Sequence, residues 1–527
     1  MLKIGNTLLR AAIAIFALGT CSTALMAAPS TKDIDRLLER AVKEFNAPGI
    51  AVSVVYDDKL FYADGRGITE VGTRTRIDEN TLFQIASVSK AFTTASLALL
   101  VDEGKVGWDE PVIDYLPDFR MHDPWVTREF TIRDLLTHRS GLPLGAGDLL
   151  LFPKGNTTRE EIIHAMRYLK PSTSFRSAYA YDNLLYIIAG EVVAAVSGIP
   201  FERFVEERLF APLGMTDCSA TFERVKPGAV KATPHVLVDG KLTTTTSLES
   251  STAAAAGGIN CSARSMAKWA QFILDDGRTA DGKQLISEAQ VAELLKPVTI
   301  TSSRGYMAEY AGQFLSGYAL GWGVSTFYGE PMYSHSGGLW GMTTYIAVLP
   351  KERLAVFASN NQLSGAPLAI VNDVLDLFLK DDNDEPRDWI AILSEVSSDR
   401  KDDAAKAVKE AADARDADSK PSLPLASYVG TYTDPWYGEI EIGMGDDGQL
   451  WFQSGRSEKL SGPLEHFQYD TFIARWSDRR LHADAYVSFS LSPLGKVEKI
   501  RMKAVSPATD FSFDFHDLDL TRVADPQ

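Results

Sequence analysis

The sequence predicts an α+β protein: an antiparallel sheet flanked by helices, with an all-helical insertion, followed by a small C-terminal β-barrel. Three observations predict it. β-rich runs lie near both ends of a long N-terminal region, at 50–63 and 343–359, with helical patterns between them. A helix that is apolar nearly all round, Ala91 to Val101, follows the first of these runs and reads as the centre of a large core. The last hundred or so residues switch to short β-rich runs punctuated by turn residues. The chain has 527 residues, 45% hydrophobic and 23% charged, which suits a globular protein of two or three domains.

In chain order, residues 1–28 read as a signal peptide. Lys3 and Arg10 form the charged n-region, Ala11 to Leu18 the apolar segment, and Met26-Ala27-Ala28 a small-residue cleavage site. The apolar segment is too short to span a bilayer. A lipoprotein signal through Leu18-Gly19-Thr20-Cys21 is disfavoured, because threonine before the cysteine fits poorly. A periplasmic or secreted protein is expected, with no transmembrane span in the mature chain. Cys218 and Cys261 either pair in an oxidising compartment or stay as two buried thiols; spacing leaves both open.

Residues 29–379 read as one domain. Asp33 to Phe45 is an amphipathic helix, and Ile50 to Tyr56 with Leu60 to Ala63 a hairpin across Asp57-Asp58-Lys59. Thr158 with Glu161 forms a capping box for a helix to Lys170. Asn183 to Ser197 is a helix stopped by Gly198, and Pro200 starts the next. Thr343 to Leu349 and Leu354 to Ser359 are strands about the turn Pro350-Lys351-Glu352, and Leu368 to Leu379 is a closing helix. Residues 380–421 are rich in Ala, Asp, Lys, Glu and Arg and read as a solvated helical linker. Residues 422–527 form the barrel, with strands at Glu439–Ile442, Leu450–Gln453, Phe472–Trp476, Ala485–Leu491, Val497–Met502 and Phe511–Leu520.

The chemistry concentrates in three stretches. Ser87-Val88-Ser89-Lys90 puts a hydroxyl and an amine at i and i+3 where the buried helix begins. A serine is a poor nucleophile until a base takes its proton, and a lysine is that base only if burial lowers its pKa. The helix N-terminus adds N–H groups suited to an oxyanion. A second Ser-x-x-Lys, Ser265 to Lys268, reads as an N-capped surface helix. In Tyr179-Ala180-Tyr181-Asp182-Asn183, Tyr181 and Asn183 are two apart before a helix: a phenol for proton transfer if an ammonium lowers its pKa, and an amide to orient the lysine or a substrate carbonyl. His335-Ser336-Gly337-Gly338 precedes a strand, and its glycines let backbone N–H groups approach a substrate.

Together these three ordered stretches resemble the penicillin-recognising serine hydrolases, most of all the class C β-lactamase-like family of D,D-peptidases, D-amino-acid amidases and peptidases, and esterases. Leu135-Leu136-Thr137-His138-Arg139-Ser140-Gly141-Leu142-Pro143, Pro212-Leu213-Gly214-Met215, Ala256-Gly257-Gly258 and Gly321-Trp322-Gly323 support the resemblance, which runs from Ile34 to Leu379. It implies that Ser87 is acylated, that Lys90 and Tyr181 share the acid–base work, and that Asn183 orients Lys90 and the substrate. It further implies an oxyanion hole from the N–H groups of Ser87 and Gly338. His335, two residues before Gly337, stands where β-lactamases carry a carboxylate-binding lysine; a histidine is only partly charged near neutral pH, which argues against efficient β-lactam hydrolysis. His138 resembles a structural turn residue and is left out of the site. The C-terminal barrel resembles domains that shape the cleft or mediate assembly, which allows a homo-oligomer.

The resulting expectation is an exported serine hydrolase with an acyl-serine intermediate. Its substrate is a small peptide or amide, including D- or unusual residues. A carboxylesterase or weak β-lactamase is the near alternative, and a non-catalytic peptide- or peptidoglycan-binding protein the distant one. Lys+Arg 53 against Asp+Glu 70, a net −17, leaves no footprint for nucleic acid. No Gly-x-Ser-x-Gly elbow, zinc motif, phosphate loop or dinucleotide fingerprint occurs, so no cofactor or metal is implied.

Overall fold

The computed structural model describes residues 29–246, 250–380 and 387–524. The expected signal peptide and the lipobox cysteine lie outside the described residues, as does most of the acidic run after Lys380.

Eight antiparallel strands form the main sheet: β1 (Gly49–Tyr56), β2 (Lys59–Gly67), β3 (Thr299–Ile300), β4 (Ser316–Tyr318), β5 (Gly323–Phe327), β6 (Glu330–Leu339), β7 (Met342–Leu349) and β8 (Leu354–Asn360). Their spatial order is β2-β1-β8-β7-β6-β5-β4-β3, so the first hairpin pairs with the last strand, Ser53 opposite Phe357. The sheet is thus assembled from both ends of the region, as the sequence predicts. Both its faces are covered. Ile50, Val52 and Val54 point to one side, where α1 (Thr31–Glu44) and the closing helix (Ala366–Leu379) supply Ile34, Leu38, Ile370 and Val374. Ala51 and Val55 point to the other, into the larger core.

That core is built round α2 (Ser89–Asp102), whose residues from Ser89 to Leu100 are all buried. Phe92 stacks on Trp269 at 4.1 Å between ring centres and meets Phe210 edge-on at 5.5 Å. The helix Leu184–Ser197 packs beside α2 with nine buried residues. The second Ser-x-x-Lys is not on a surface helix. Ser262 caps the helix Ala263–Leu274, and Ser265 and Met266 are buried with Trp269. The capping box Thr158/Glu161 forms as read, but its helix ends at Ala165. Cys218 and Cys261 are joined as a disulfide.

Two readings of the C-terminal third change. The linker is helical as read, a 25-residue helix over Trp389–Asp413, but it is not solvated throughout: its first turns bury Trp389, Ile390 and Leu393 against α1 and the closing helix. Its apolar start is what docks it; only the later turns carry the charged composition that suggested a spacer. The barrel closes with eight strands, adding Gly430–Asp434 and Ser461–Gln468 to those expected. Phe511–Leu520 is not a strand. It is a loop with a 3₁₀ turn at Phe515–Asp517, and only Leu520–Arg522 pairs in the barrel. Its aromatic residues at alternate positions imitate a strand, but Phe513 and Phe515 are buried in the interior and Phe511 turns toward the other domain.

Candidate active site

Ser87 lies in a single 3₁₀ turn, Ala86–Val88, just before α2, rather than inside the helix. Ala86 enters that turn at φ 49°, a left-handed conformation a non-glycine residue adopts at a cost of about 1–2 kcal/mol. The turn presents the hydroxyl into the cleft while Lys90, one turn on, is fully buried.

The Lys90 amine makes three contacts. Its Nζ lies 2.7 Å from Asn183 Oδ1, 2.9 Å from the Ala256 carbonyl and 3.1 Å from Ser87 Oγ. Two of the three partners can only accept. A neutral amine has two N–H bonds and one lone pair, so the two carbonyl oxygens take both protons and the lone pair is left facing Ser87. Burial lowers the Lys90 pKa from 10.5 to about 7, against the opposing pull of Asp148 and Asp182. Near neutral pH the amine is thus divided between its charged and neutral forms, and the neutral form sets its lone pair on the serine.

Tyr181 lies across Lys90, its ring centre 4.7 Å from Nζ. Its hydroxyl is buried and, although Ser87 lies near enough to draw on it, makes no hydrogen bond of good geometry among the described residues. Burial holds its pKa well above 10, with Ser87 drawing it down only in part. The condition set for a base, a nearby ammonium that lowers its pKa, is not met: burial outweighs any such pull, so Tyr181 stands as a phenol, not a phenolate. His138 packs against it at a tilt, 4.2 Å between ring centres, and accepts from the Asp182 N–H through Nδ1. Burial keeps His138 neutral, which suits a packing role.

His335 is also neutral. Its Nδ1 is 2.6 Å from the Ser336 carbonyl, which only accepts, so Nδ1 carries the proton and Nε2 accepts from Tyr318 Oη at 2.8 Å. Burial, aided by Lys90, pulls its pKa down to about 3. The expectation of a partly charged histidine is corrected accordingly. Tyr318, which no motif marked, is the partner of its other nitrogen.

Gly337 and Gly338 do different things. β6 pairs with β5 only as far as Ser334, so beyond it the strand edge is open to the cleft. A Cβ at Gly337 would sit 2.5 Å from the Ile85 carbonyl, because this strand packs on the turn that carries Ser87. A Cβ at Gly338 would meet nothing within 4 Å. Ser87, Gly337 and Gly338 all line one cleft of about 850 Å³, a size suited to a small ligand. Tyr181, Asn183 and His335 line it too, so every residue singled out from the sequence except the buried Lys90 opens on this space. The wall also holds residues that the sequence did not mark: Arg400 from the helix Trp389–Asp413, and Asp510, Phe511 and Ser512 from the barrel loop. The cleft walls thus come from three parts of the chain. Among the described residues no group of three His, Cys, Asp or Glu is placed to hold a metal ion.

Against known families, the Beta-lactamase model matches residues 34–379, and a domain of unknown function, DUF3471, matches 414–522. The chain is 25% identical to the unguisins hydrolase ungD of Aspergillus violaceofuscus over 504 residues, covering 89% of this chain and 87% of that protein. The fold resembles that of the octameric penicillin-binding protein homologue from Pyrococcus abyssi, with TM-score 0.60 and 20% identity over 94% of this chain and all of the other. It also resembles the D-amino acid amidase from Ochrobactrum anthropi SV3, with TM-score 0.56 and 22% identity over 66% of this chain and 98% of the amidase.

Proposed function

We propose that this chain, which belongs to the Beta-lactamase family, is an exported serine hydrolase that cleaves amide bonds in small peptides through an acyl-Ser87 intermediate. The observation that carries the reading is the Lys90 hydrogen-bond inventory: both amine protons are committed to carbonyl oxygens and the lone pair is left to Ser87 Oγ at 3.1 Å.

In this mechanism Lys90 takes the Ser87 proton as Oγ attacks the substrate carbonyl. The N–H groups of Ser87 and Gly338 receive the developing oxyanion, the second from the open edge of β6. Tyr181 hands a proton to the leaving amine, a role that suits a phenol whose hydroxyl has no other partner. Water then attacks the acyl-serine by the reverse proton path. No step needs a metal or cofactor.

Peptide and amide substrates are favoured over β-lactams because neutral His335 offers no cation for a β-lactam carboxylate. A relative named as a hydrolase of unguisins and a fold neighbour that is a D-amino acid amidase support a substrate with amide bonds and unusual or D-residues. Export is supported by the leader-like first 28 residues and by the Cys218–Cys261 disulfide, since such bonds persist in oxidising compartments. Among the described residues no single helix is long and apolar enough to cross a membrane.

The test is a matched pair of substrates with one acyl group, D-alanyl or short peptidyl, joined as an ester in one and an amide in the other. Amide hydrolysis by wild type and its loss in Ser87→Ala is the expected result. Turnover of the ester alone would replace the amidase reading with an esterase, and turnover of neither would leave a binding protein.

A further inference from the structure

The barrel loop 510–514 does more than wall the cleft. The Asp514 carboxylate accepts from the Gly147 N–H at 2.7 Å and the Leu149 N–H at 2.9 Å, gripping the turn on both sides of Asp148. Ser512 Oγ donates to Asp148 Oδ2 at 2.9 Å, and the same oxygen accepts from Asn183 Nδ2 at 2.8 Å. Asn183 Oδ1 in turn accepts from Lys90. All of these side chains are buried, Asp148 and Asp514 completely. The loop cannot easily withdraw: Phe511 packs so closely on Gly145 that an added Cβ there would lie 2.9 Å from the Phe511 carbonyl.

We propose that Ser512 and Asp148 are positioning residues for Lys90, so that the C-terminal barrel is a working part of the active site. The reasoning runs through the Asn183 amide. With its Nδ2 held by Asp148, it must show Oδ1 to the Lys90 amine. Turned over, it would show N–H groups instead, and these would compete with Ser87 for the lone pair. Asp148 therefore decides which way the lysine points, and the barrel holds Asp148. This role rests on the acyl-Ser87 reading above.

The groups facing Lys90 are Asp148 and Asp182, which favour its charged form, neutral His138 and His335, and the Tyr181 and Tyr186 rings. Those facing Asp148 are Asp182, Lys90 and Asp514. Burial pushes the Asp148 carboxyl well above the usual carboxylate range, so its hold on Lys90 runs through the Asn183 amide rather than through its own charge. An inverted Asn183, which Ser512→Ala or Asp148→Asn permits, disfavours the ammonium and moves the acid limb of the pH–rate profile to lower pH.

The experiment uses the full mature chain, with p-nitrophenyl acetate turnover and fluorophosphonate labelling of Ser87 as probes. Ser512→Ala and Asp148→Asn are expected to lower kcat about tenfold or more with little change in KM. Their acid limbs should shift downward, while Ser512→Thr, which keeps the hydroxyl, should restore both. Wild-type kcat and an unmoved limb in Ser512→Ala would overturn the positioning role while Ser87-dependent labelling kept the hydrolase reading intact. A fall in activity that only tracks a fall in Tm, with the limb unmoved, would also overturn it. No Ser87-dependent labelling in wild type would sink both ideas. If Asp148→Asn does not fold, the Ser512 pair decides alone.

Discussion

Substituting Gly337 by alanine tests whether packing between β6 and the nucleophile turn sets the geometry of the cleft. The new Cβ would lie 2.5 Å from the Ile85 carbonyl, 2.7 Å from Thr344 Oγ1 and 2.9 Å from the Ala86 Cβ. Ordinary contact begins at 3.4 Å, so relief requires roughly 1 Å of movement. None of these atoms is the loose end of a flexible side chain. Ile85 is tied through its N–H to the Ile259 carbonyl at 2.9 Å, and Thr344 Oγ1 is bonded to the Ile85 carbonyl at 3.1 Å. The strand and the Ser87 turn must therefore separate. Overpacking of this kind costs about 1–3 kcal/mol. Displacing one half of an oxyanion site by about 1 Å costs on the order of a hundredfold in rate. Gly338→Ala is the control: its Cβ enters open space, and its stability should stay within about 0.5 kcal/mol of wild type. Thermal melts followed by circular dichroism, with kcat/KM on an ester probe, read both quantities. A Gly337→Ala protein that melts and turns over like wild type would refute the packing argument. So would a Gly338→Ala protein destabilised as much as Gly337→Ala.

Three further outcomes follow from the site. kcat/KM should rise with pH and level off above about 7, because the base is the neutral form of Lys90 and burial brings its pKa down to about 7; Asp182, pushed up to about 7, titrates in the same range, so the limb belongs to both. A rate that falls as pH rises from 6 to 8 would contradict the lysine base. Tyr181→Phe should lose about 10²–10⁴ in kcat while its Tm holds or rises, since the hydroxyl it deletes is buried and unpaired; a loss of both together would mean the hydroxyl has a structural partner. KM for a carboxylate-bearing substrate should change little through ionisation of His335 between pH 7 and 5, because that histidine, near 3, stays neutral throughout; a KM that drops at pH 5 in wild type but not in His335→Gln would overturn this.

The fold and the pairing of Ser87 with Lys90 were legible because each rests on local pattern. The apolar run after Lys90 has no wet face, so it had to be central, and a lysine on its first turn had to be buried. The strands at 50–56 and 354–359 read clearly because both of their faces are covered and their residues are apolar throughout. What could not be read was whatever depends on distant neighbours. Whether an ammonium lowers the Tyr181 pKa could not be read, because the burial that lowers the lysine also raises the phenol. His335 was given partial charge from its type, but burial, the Ser336 carbonyl beside it and Tyr318, which lies outside the motif, hold it as a neutral donor–acceptor.

The largest miss was the loop 510–514, and its cause is instructive. Phe511, Phe513 and Phe515 alternate with polar residues, and alternation is the sequence signature of a strand. Here the alternation sets buried rings against a cleft ring: Phe513 and Phe515 are buried, while Phe511, 39% exposed, reaches the Tyr181 ring at 6.0 Å. The polar residues between them are the informative ones. Ser512 and Asp514 are buried, and both are spent on the turn that carries Asp148. A buried serine and a buried aspartate are costly unless their partners are fixed. The barrel thus contributes hydrogen bonds that the cleft needs more than it contributes surface. That is why an element with no catalytic motif of its own belongs to the chemistry of Ser87.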